Sequence, residues 1–404
     1  MRQILNSRLI NLLLIIGTTA LGLGVAEFVL RVAGIANPGF HRLDAEVGDA
    51  LDPGAEGWWT REGRAYVRIN GQGLRDVEHT LAKPPGVIRI AVLGDSFAEA
   101  LQVELEQTFW RVMARRLETC PSFAGHDVEV INFGVSGYGT AQELLTLRRR
   151  ALRYAPDVVL LLFTTGNDVR NNSKDLQHGG RPLAELRDDT IGFDMTFLDT
   201  PSARLQLSPV GRFYYWARHH SRVVQLLGRL QLRGSADKAP GANSSIRREP
   251  GLDDEVYREP SDSKWRDAWN LTQALLVAAR DESKANGARF LLATGSSPIQ
   301  VDPNPAVREA FAKELGVIDL LYPDRRIEAL AARENIPFVM LAPALLEWAQ
   351  GHNTCVHGFD SNQSCVGHWN ADGHRVVGER LASMLCATAT TPLRVAAPGA
   401  PRRP

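Results

Sequence analysis

Six consecutive apolar residues, Val158-Val159-Leu160-Leu161-Leu162-Phe163, show no polar alternation, which is the pattern of a strand covered on both faces. A strand of this kind belongs inside a parallel sheet flanked by helices, because a sheet with one wet face would carry a polar residue at every second position. The surrounding chain agrees. It predicts strand 88–94, helix near 107–119, strand 128–135, helix near 140–154 and strand 157–164. After an interruption, helix 263–286 leads to a fourth strand at Arg289-Phe290-Leu291-Leu292-Ala293. A helix over 305–334, broken around Pro323, precedes a fifth strand at Pro337-Phe338-Val339-Met340-Leu341, and a last helix runs from Asn370 to Leu385. The expected fold is a three-layer α/β/α sandwich on a parallel, flavodoxin-like, five-stranded sheet occupying 87–388, with a helical insertion at 169–262.

The rest of the 404 residues divides around this unit. Leu9 to Leu30 is almost wholly apolar, and at about 1.5 Å per residue a helix over it spans roughly 33 Å, enough for a bilayer core. Arg2 and Arg8 precede it. Basic residues on that side favour a cytoplasmic N-terminus and an exported body, periplasmic or extracellular. Residues 1–35 therefore read as a single-pass anchor; a cleaved signal peptide is the alternative, although the run is long for one and no Ala-x-Ala site stands out. Glu27 lowers the hydrophobicity near the outer end, where a carboxylate can reach water. Residues 36–86 read as a linker or N-terminal extension with local order and no evident chemistry. Residues 203–233 carry six Arg and no acid among Phe213, Tyr214, Tyr215, Trp216, Val223, Val224, Leu226 and Leu227. That pattern fits either a cap helix with its apolar face on the core, which is the expectation here, or a basic amphipathic helix on a membrane surface or anionic polymer. The polar stretch 234–262 reads as a mobile loop and 389–404 as a disordered tail.

Lys plus Arg equals Asp plus Glu at 46 each, which argues against a nucleic-acid partner. In an exported chain the four cysteines read as two bridges, Cys355 with Cys365 and Cys120 with Cys386, or else as buried thiols. No metal-ligand spacing and no dinucleotide fingerprint is present, so neither metal nor cofactor is expected.

Chemistry concentrates at strand ends. Gly94-Asp95-Ser96-Phe97 puts a hydroxyl at the carboxyl end of the first strand, where open parallel sheets build their sites. A serine needs a base to take its proton and donors placed for the oxyanion. Ser96 is the candidate nucleophile and its backbone N–H one oxyanion donor. Gly137, in Asn132-Phe133-Gly134-Val135-Ser136-Gly137, and Asn167, in Gly166-Asn167-Asp168, are the other donors. His368 is the candidate base. Asp95 is expected to cap the following helix, Asp168 to brace the turn of Asn167, and Ser136 and His374 to be structural.

These blocks, in this order, resemble the SGNH (GDSL-type) hydrolase superfamily over about 88–168 and 263–388. The resemblance implies a serine esterase acting on acyl or acetyl esters of carbohydrates or lipids; here these would belong to an envelope or extracellular polymer. The alternatives are an O-acyltransferase modifying a cell-surface polysaccharide, or a non-catalytic glycan-binding relative. The family pattern also has Asp three residues before its His, whereas position 365 is Cys. Asp360, in the same loop, is the candidate replacement that orients the imidazole.

Overall fold

The computed structural model describes residues 2–36, 38–177, 179–188, 190–228, 252–359 and 363–388. Helix α1 (Arg2–Val32) leads to two antiparallel hairpins, β1 (His41–Asp44) with β2 (Gly48–Leu51) and β3 (Glu56–Trp59) with β4 (Ala65–Arg68). The central sheet then forms from β5 (Val87–Leu93), β6 (Asp127–Asn132), β7 (Val158–Thr164), and later β10 (Arg289–Gly295) and β11 (Phe338–Met340). Between β7 and β10 a short hairpin, β8 (Leu183–Arg187) with β9 (Thr190–Asp194), belongs to the insertion. The sheet order is β11-β10-β7-β5-β6 and every pairing is parallel.

Every residue of β5 and β7 is buried. Alternate residues point to opposite faces, as a strand's period of two requires. Ile88, Ile90, Val92, Leu160 and Leu162 join one core, beneath α3 (Phe109–Glu118), α12 (Ala342–His352) and α13 (Ala371–Thr388). Ala91, Leu93, Val159, Leu161 and Phe163 join the other, beneath α4 (Thr140–Arg149), α9 (Ser263–Ala285) and α11 (Tyr322–Arg333). Each fully buried Leu, Ile or Phe in these layers contributes roughly 1.5–3 kcal/mol relative to exposure. The three-layer sandwich follows from that double coverage.

Several elements differ from expectation. The predicted helix 305–334 is two helices, α10 (Pro305–Leu315) and α11, and the break falls at Gly316 rather than Pro323. Gly316 adopts φ +68° as a left-handed cap, and Pro323 sits in the first turn of α11, where its missing N–H leaves no bond broken. The end of the stretch expected to be mobile, 252–262, holds a short 3₁₀ turn with Val256 and Tyr257 buried; residues 234–251 and 389–404 lie outside the described residues. His368 lies in β13 (Gln363–Trp369), paired with β12 (His357–Phe359).

The segment 38–86 is packed rather than strung out. Phe40, Val47, Ala50, Leu51, Ala55, Val67 and Ile69 form a third core with Leu101, Val135 and Tyr138. The guanidinium of Arg75, only 1 % exposed, donates to the carbonyls of Glu99, Ala100 and Val103 and so braces the chain just after the turn that carries Ser96. Asp76 accepts the backbone N–H of Asn132 at 2.9 Å. Both cysteine pairs are disulfides: Cys120–Cys386 ties the end of α3 to the end of α13, and Cys355–Cys365 clips the β12–β13 hairpin.

Candidate active site

The sheet order places β5 between β6 and β7, so the turns that follow these three strands meet at one edge. After β5 the chain turns at once into the short helix α2 (Ser96–Glu99). Asp95 caps it by accepting the N–H of Phe97 at 2.9 Å, as expected. Its other oxygen accepts the side-chain amide of Asn167 at 3.1 Å, across from the end of β7. Asn167 has two amide hydrogens, so one fixes its orientation on Asp95 and the second is left for a substrate oxygen. Asp168 accepts the N–H of Thr164 at 2.7 Å and thereby holds the turn that carries Asn167.

On the β6 side, Asn132 donates to the carbonyl of Ala98 at 2.9 Å and accepts the N–H of Gly134 at 3.0 Å, which sews that turn to α2. Gly137 has φ +81° with open space where a Cβ would stand, so its backbone can face a bound molecule closely. Ser136 donates to the buried carboxylate of Glu99, which also pairs with His41 at 2.6 Å. Burial pushes the Glu99 carboxyl's pKa up, but the His41 charge and these hydrogen bonds outweigh it and hold the group below its ordinary value. Ser136 is structural on this geometry.

The imidazole of His368 approaches from the β12–β13 hairpin, its Nε2 2.8 Å from the Ser96 hydroxyl. Its Nδ1 lies 2.6 Å from Glu62, whose second oxygen accepts the backbone N–H of His368, also at 2.6 Å. A carboxylate only accepts, so the proton sits on Nδ1 and Nε2 is left to accept from Ser96. Burial pushes the Glu62 carboxyl up, yet the hydrogen bonds and charge of His368 more than offset it and its proton affinity falls below the usual range. Gly367, at φ +85°, lets the carboxylate come this close; a Cβ there would collide with Glu62. Phe97 packs on the imidazole with ring centroids 4.9 Å apart. His357 pairs through Nδ1 with the Gly367 carbonyl at 2.7 Å and through Nε2 with Ser296 at 3.0 Å. Burial drives its pKa down to about 3, so it stays neutral and steadies the hairpin beside His368.

Glu62 was missed. It sits in the turn between β3 and β4, in the segment read as free of chemistry, and Asp360, the expected orienter, lies outside the described residues. The available signal was the alternation of Ala65-Tyr66-Val67-Arg68 behind Trp58-Trp59, which makes Arg61-Glu62-Gly63-Arg64 a hairpin tip. The Trp59 indole donates to the Glu62 carbonyl at 2.8 Å and locks that tip. Beside the turn lies a cavity of about 470 Å³ whose walls include Trp58, Trp59, Arg61, Tyr214, Tyr215 and Arg218.

A hydroxyl hydrogen-bonded to an imidazole, the imidazole to a carboxylate, and donors converging from neighbouring strand ends can perform nucleophilic acyl transfer. The doubly covered parallel sheet with such a site at its carboxyl edge is an SGNH-type α/β fold. The chain belongs to the GDSL-like lipase/acylhydrolase family, whose model matches residues 92–376, and is an ester-hydrolysing enzyme. Similar solved structures include the acetyl xylan esterase AlAXEase, at 14% identity over 73% of this chain and 98% of that one, with a TM-score of 0.38. TesA is similar at 17% identity over 76% and 99%, with a TM-score of 0.34. A catalytic variant of an acetylxylan esterase from Geobacillus stearothermophilus is similar at 12% identity over 74% and 94%, with a TM-score of 0.37. No curated protein matches the chain. Among the described residues one helix, Arg8–Val32, is long and apolar enough to cross a membrane, and an N-terminal span of this kind serves as an anchor or as a signal sequence.

Proposed function

We propose that the chain is a membrane-anchored serine esterase that removes acyl or acetyl groups through a Ser96 acyl-enzyme. The Ser96 oxygen attacks the ester carbonyl as its proton passes to Nε2 of His368, and Glu62 stabilises the imidazolium that results. The oxyanion is received by the backbone N–H groups of Ser96 and Gly137 and the amide of Asn167. The alcohol leaves with the proton from His368, and water, activated by the same imidazole, releases the acid. The observation that carries this reading is the unbroken Ser96–His368–Glu62 chain at 2.8 and 2.6 Å. It also removes the motive for a non-catalytic relative, since Glu62 supplies the carboxylate that position 365 lacks.

The substrate class is an ester-bearing carbohydrate or lipid of the envelope or exterior. Indole and phenol faces together with guanidinium groups, as in the cavity beside Glu62, suit sugar rings with polar or anionic substituents. Arg2 and Arg8 ahead of the span favour a periplasmic or extracellular enzyme domain. The test is hydrolysis of a short-chain aryl acetate by the detergent-purified full chain, alongside Ser96→Ala and His368→Ala. Each substitution lowers turnover by roughly 10⁴ to 10⁶. Wild-type rates in both variants would remove the assignment.

A further inference from the structure

The sequence expectation for the basic aromatic segment was an apolar face packed on the core, and the structure shows the opposite. Helix α6 (Pro201–Leu207) is followed by α7 (Pro209–His220) and a helical stretch over 222–228. Phe213 is 65% exposed and Trp216 55%, and Leu205, Val210 and Leu227 are exposed as well. Phe213, Trp216 and His220 recur at intervals of three and four, so they share one face of α7, and their rings stack in sequence with centroids 5.5 and 4.6 Å apart. The other side of α7 carries Tyr215 and Arg218, which reach β1: Tyr215 accepts the N–H of Leu43 at 3.2 Å and Arg218 donates to the carbonyl of His41 at 2.7 Å. One face is thus secured to the enzyme and the opposite one is bare.

The end of the membrane span is bonded to this same segment. Glu27, in α1, accepts the hydroxyl of Ser221 at 2.9 Å and the N–H groups of Arg222 and Val223 at 3.0 and 3.1 Å. It therefore caps the helix that starts at 222, where an acid is favoured. Arg31 pairs with Glu27 at 2.7 Å and donates to the carbonyl of His220 at 2.7 Å, at the last residue of α7. Glu27 is five residues short of the end of α1 at Val32, about 7.5 Å along a helix axis, which is comparable to the depth of one interfacial layer. A span crossing the bilayer therefore carries α7 at headgroup depth. Aromatic residues are favoured there, and a stretch with six Arg and no acid is attracted to anionic lipid.

We propose that α6 and α7 form a second, interfacial membrane contact, with Val210, Phe213 and Trp216 inserted at the headgroup boundary, so that the enzyme domain lies against the bilayer instead of hanging from a free tether. The occupant of the bare face is the phospholipid surface. This rests on the anchor reading of α1, and the experiment separates the two. All four cysteines are paired, so single cysteines can be added to the full chain and labelled with an environment-sensitive nitrobenzoxadiazole group. The variants Phe213→Cys, Trp216→Cys, Leu21→Cys and Ile318→Cys are reconstituted into phosphatidylethanolamine–phosphatidylglycerol vesicles containing doxyl lipids, with the quencher near the headgroup or deep in the chain. Labels at 213 and 216 shift to the blue and lose fluorescence to the shallow quencher; 21 loses it to the deep quencher; 318, fully exposed between α10 and α11, responds to neither. Quenching at 21 with water-like emission at 213 and 216 would overturn the interfacial contact and leave the anchor standing. No quenching at 21 removes both. A blue shift at 213 and 216 that no lipid quencher diminishes would assign the face to a second copy of the chain and overturn the proposal.

Discussion

Replacing Glu62 with Gln changes two bonds and one charge while keeping side-chain size. In the wild-type chain both oxygens are engaged at 2.6 Å, one by the ring Nδ1–H and one by the backbone N–H of His368. An amide offers only one acceptor. Whichever N–H takes it, the other faces an NH₂ group, at a cost of about 1–3 kcal/mol for a polar group left unpaired. The larger effect is on turnover, because the negative charge that stabilises the imidazolium is gone and the ring can turn to the wrong tautomer. In a triad that loss is on the order of 10⁴ in kcat, or about 5 kcal/mol of barrier. The assay is kcat and KM on an aryl acetate, with circular dichroism to confirm the fold. We expect Glu62→Gln to lose three to four orders of magnitude in kcat with KM little changed, on the order of what a buried triad carboxylate contributes. Glu62→Asp, with the charge restored on a shorter arm, recovers part of it. The carboxyl is held below its ordinary range in the folded state, so its contribution to stability is intact above about pH 4.5, the ordinary glutamate value, and is lost as pH falls through the lowered one. A Glu62→Gln rate within about threefold of wild type, beside a collapse in Asp360→Asn, would return the orienting role to Asp360 and refute the geometry argued above.

Asn167→Ala removes a preset oxyanion donor and lowers kcat by roughly 10²–10³, measured on the same ester; an unchanged rate would show that backbone donors suffice. The Cys120–Cys386 bridge spans 266 residues and Cys355–Cys365 only 10, so loop-closure entropy assigns about 5.6 kcal/mol to the first and about 2.7 to the second. Thermal unfolding should therefore drop further in Cys120→Ser than in Cys365→Ser, and the reverse order would contradict the entropic account. Glu143 is wholly buried beside Asp95 and Asp168 with neither oxygen bonded, and burial followed by the repulsion of Asp95 raises its proton affinity well above normal. A raised folded-state value means stability is complete below about pH 4.5 and declines as pH rises towards the folded value. Glu143→Gln should raise the melting temperature at pH 7 and lose that advantage in acid. A variant equally stabilised at pH 4 and pH 7 would rule this origin out.

How far the site could be read from residues alone depended on how local each part is. Gly94-Asp95-Ser96-Phe97 was legible because a strand end, a capping acid and a helix start are neighbours in sequence, and the apolar run before them states where the strand lies. Gly137 and Asn167 followed by the same logic, since each sits just past its own strand. Pro323 misled because a proline in a first turn and a proline in mid-helix look alike until the glycine cap before it is seen. The aromatic stripe of α7 misled for a different reason. Amphipathic spacing says which residues share a face but not what covers that face, and here the hydrogen bonds that Arg218 donates to His41 and Tyr215 accepts from Leu43 turn Phe213 and Trp216 outward.

The chain's own pattern determined a doubly covered parallel sheet, the apolar N-terminal span, and the candidate nucleophile and oxyanion donors at strand ends, because hydrophobic periodicity and turn chemistry act over a few residues. Only the tertiary structure decided that the carboxylate beside His368 comes from Glu62, 306 residues earlier. A hydrogen bond leaves no mark at that separation. It exists because a hairpin from the N-terminal segment packs on the sheet edge, and the length and direction of that approach are set by packing rather than by any local run of residues.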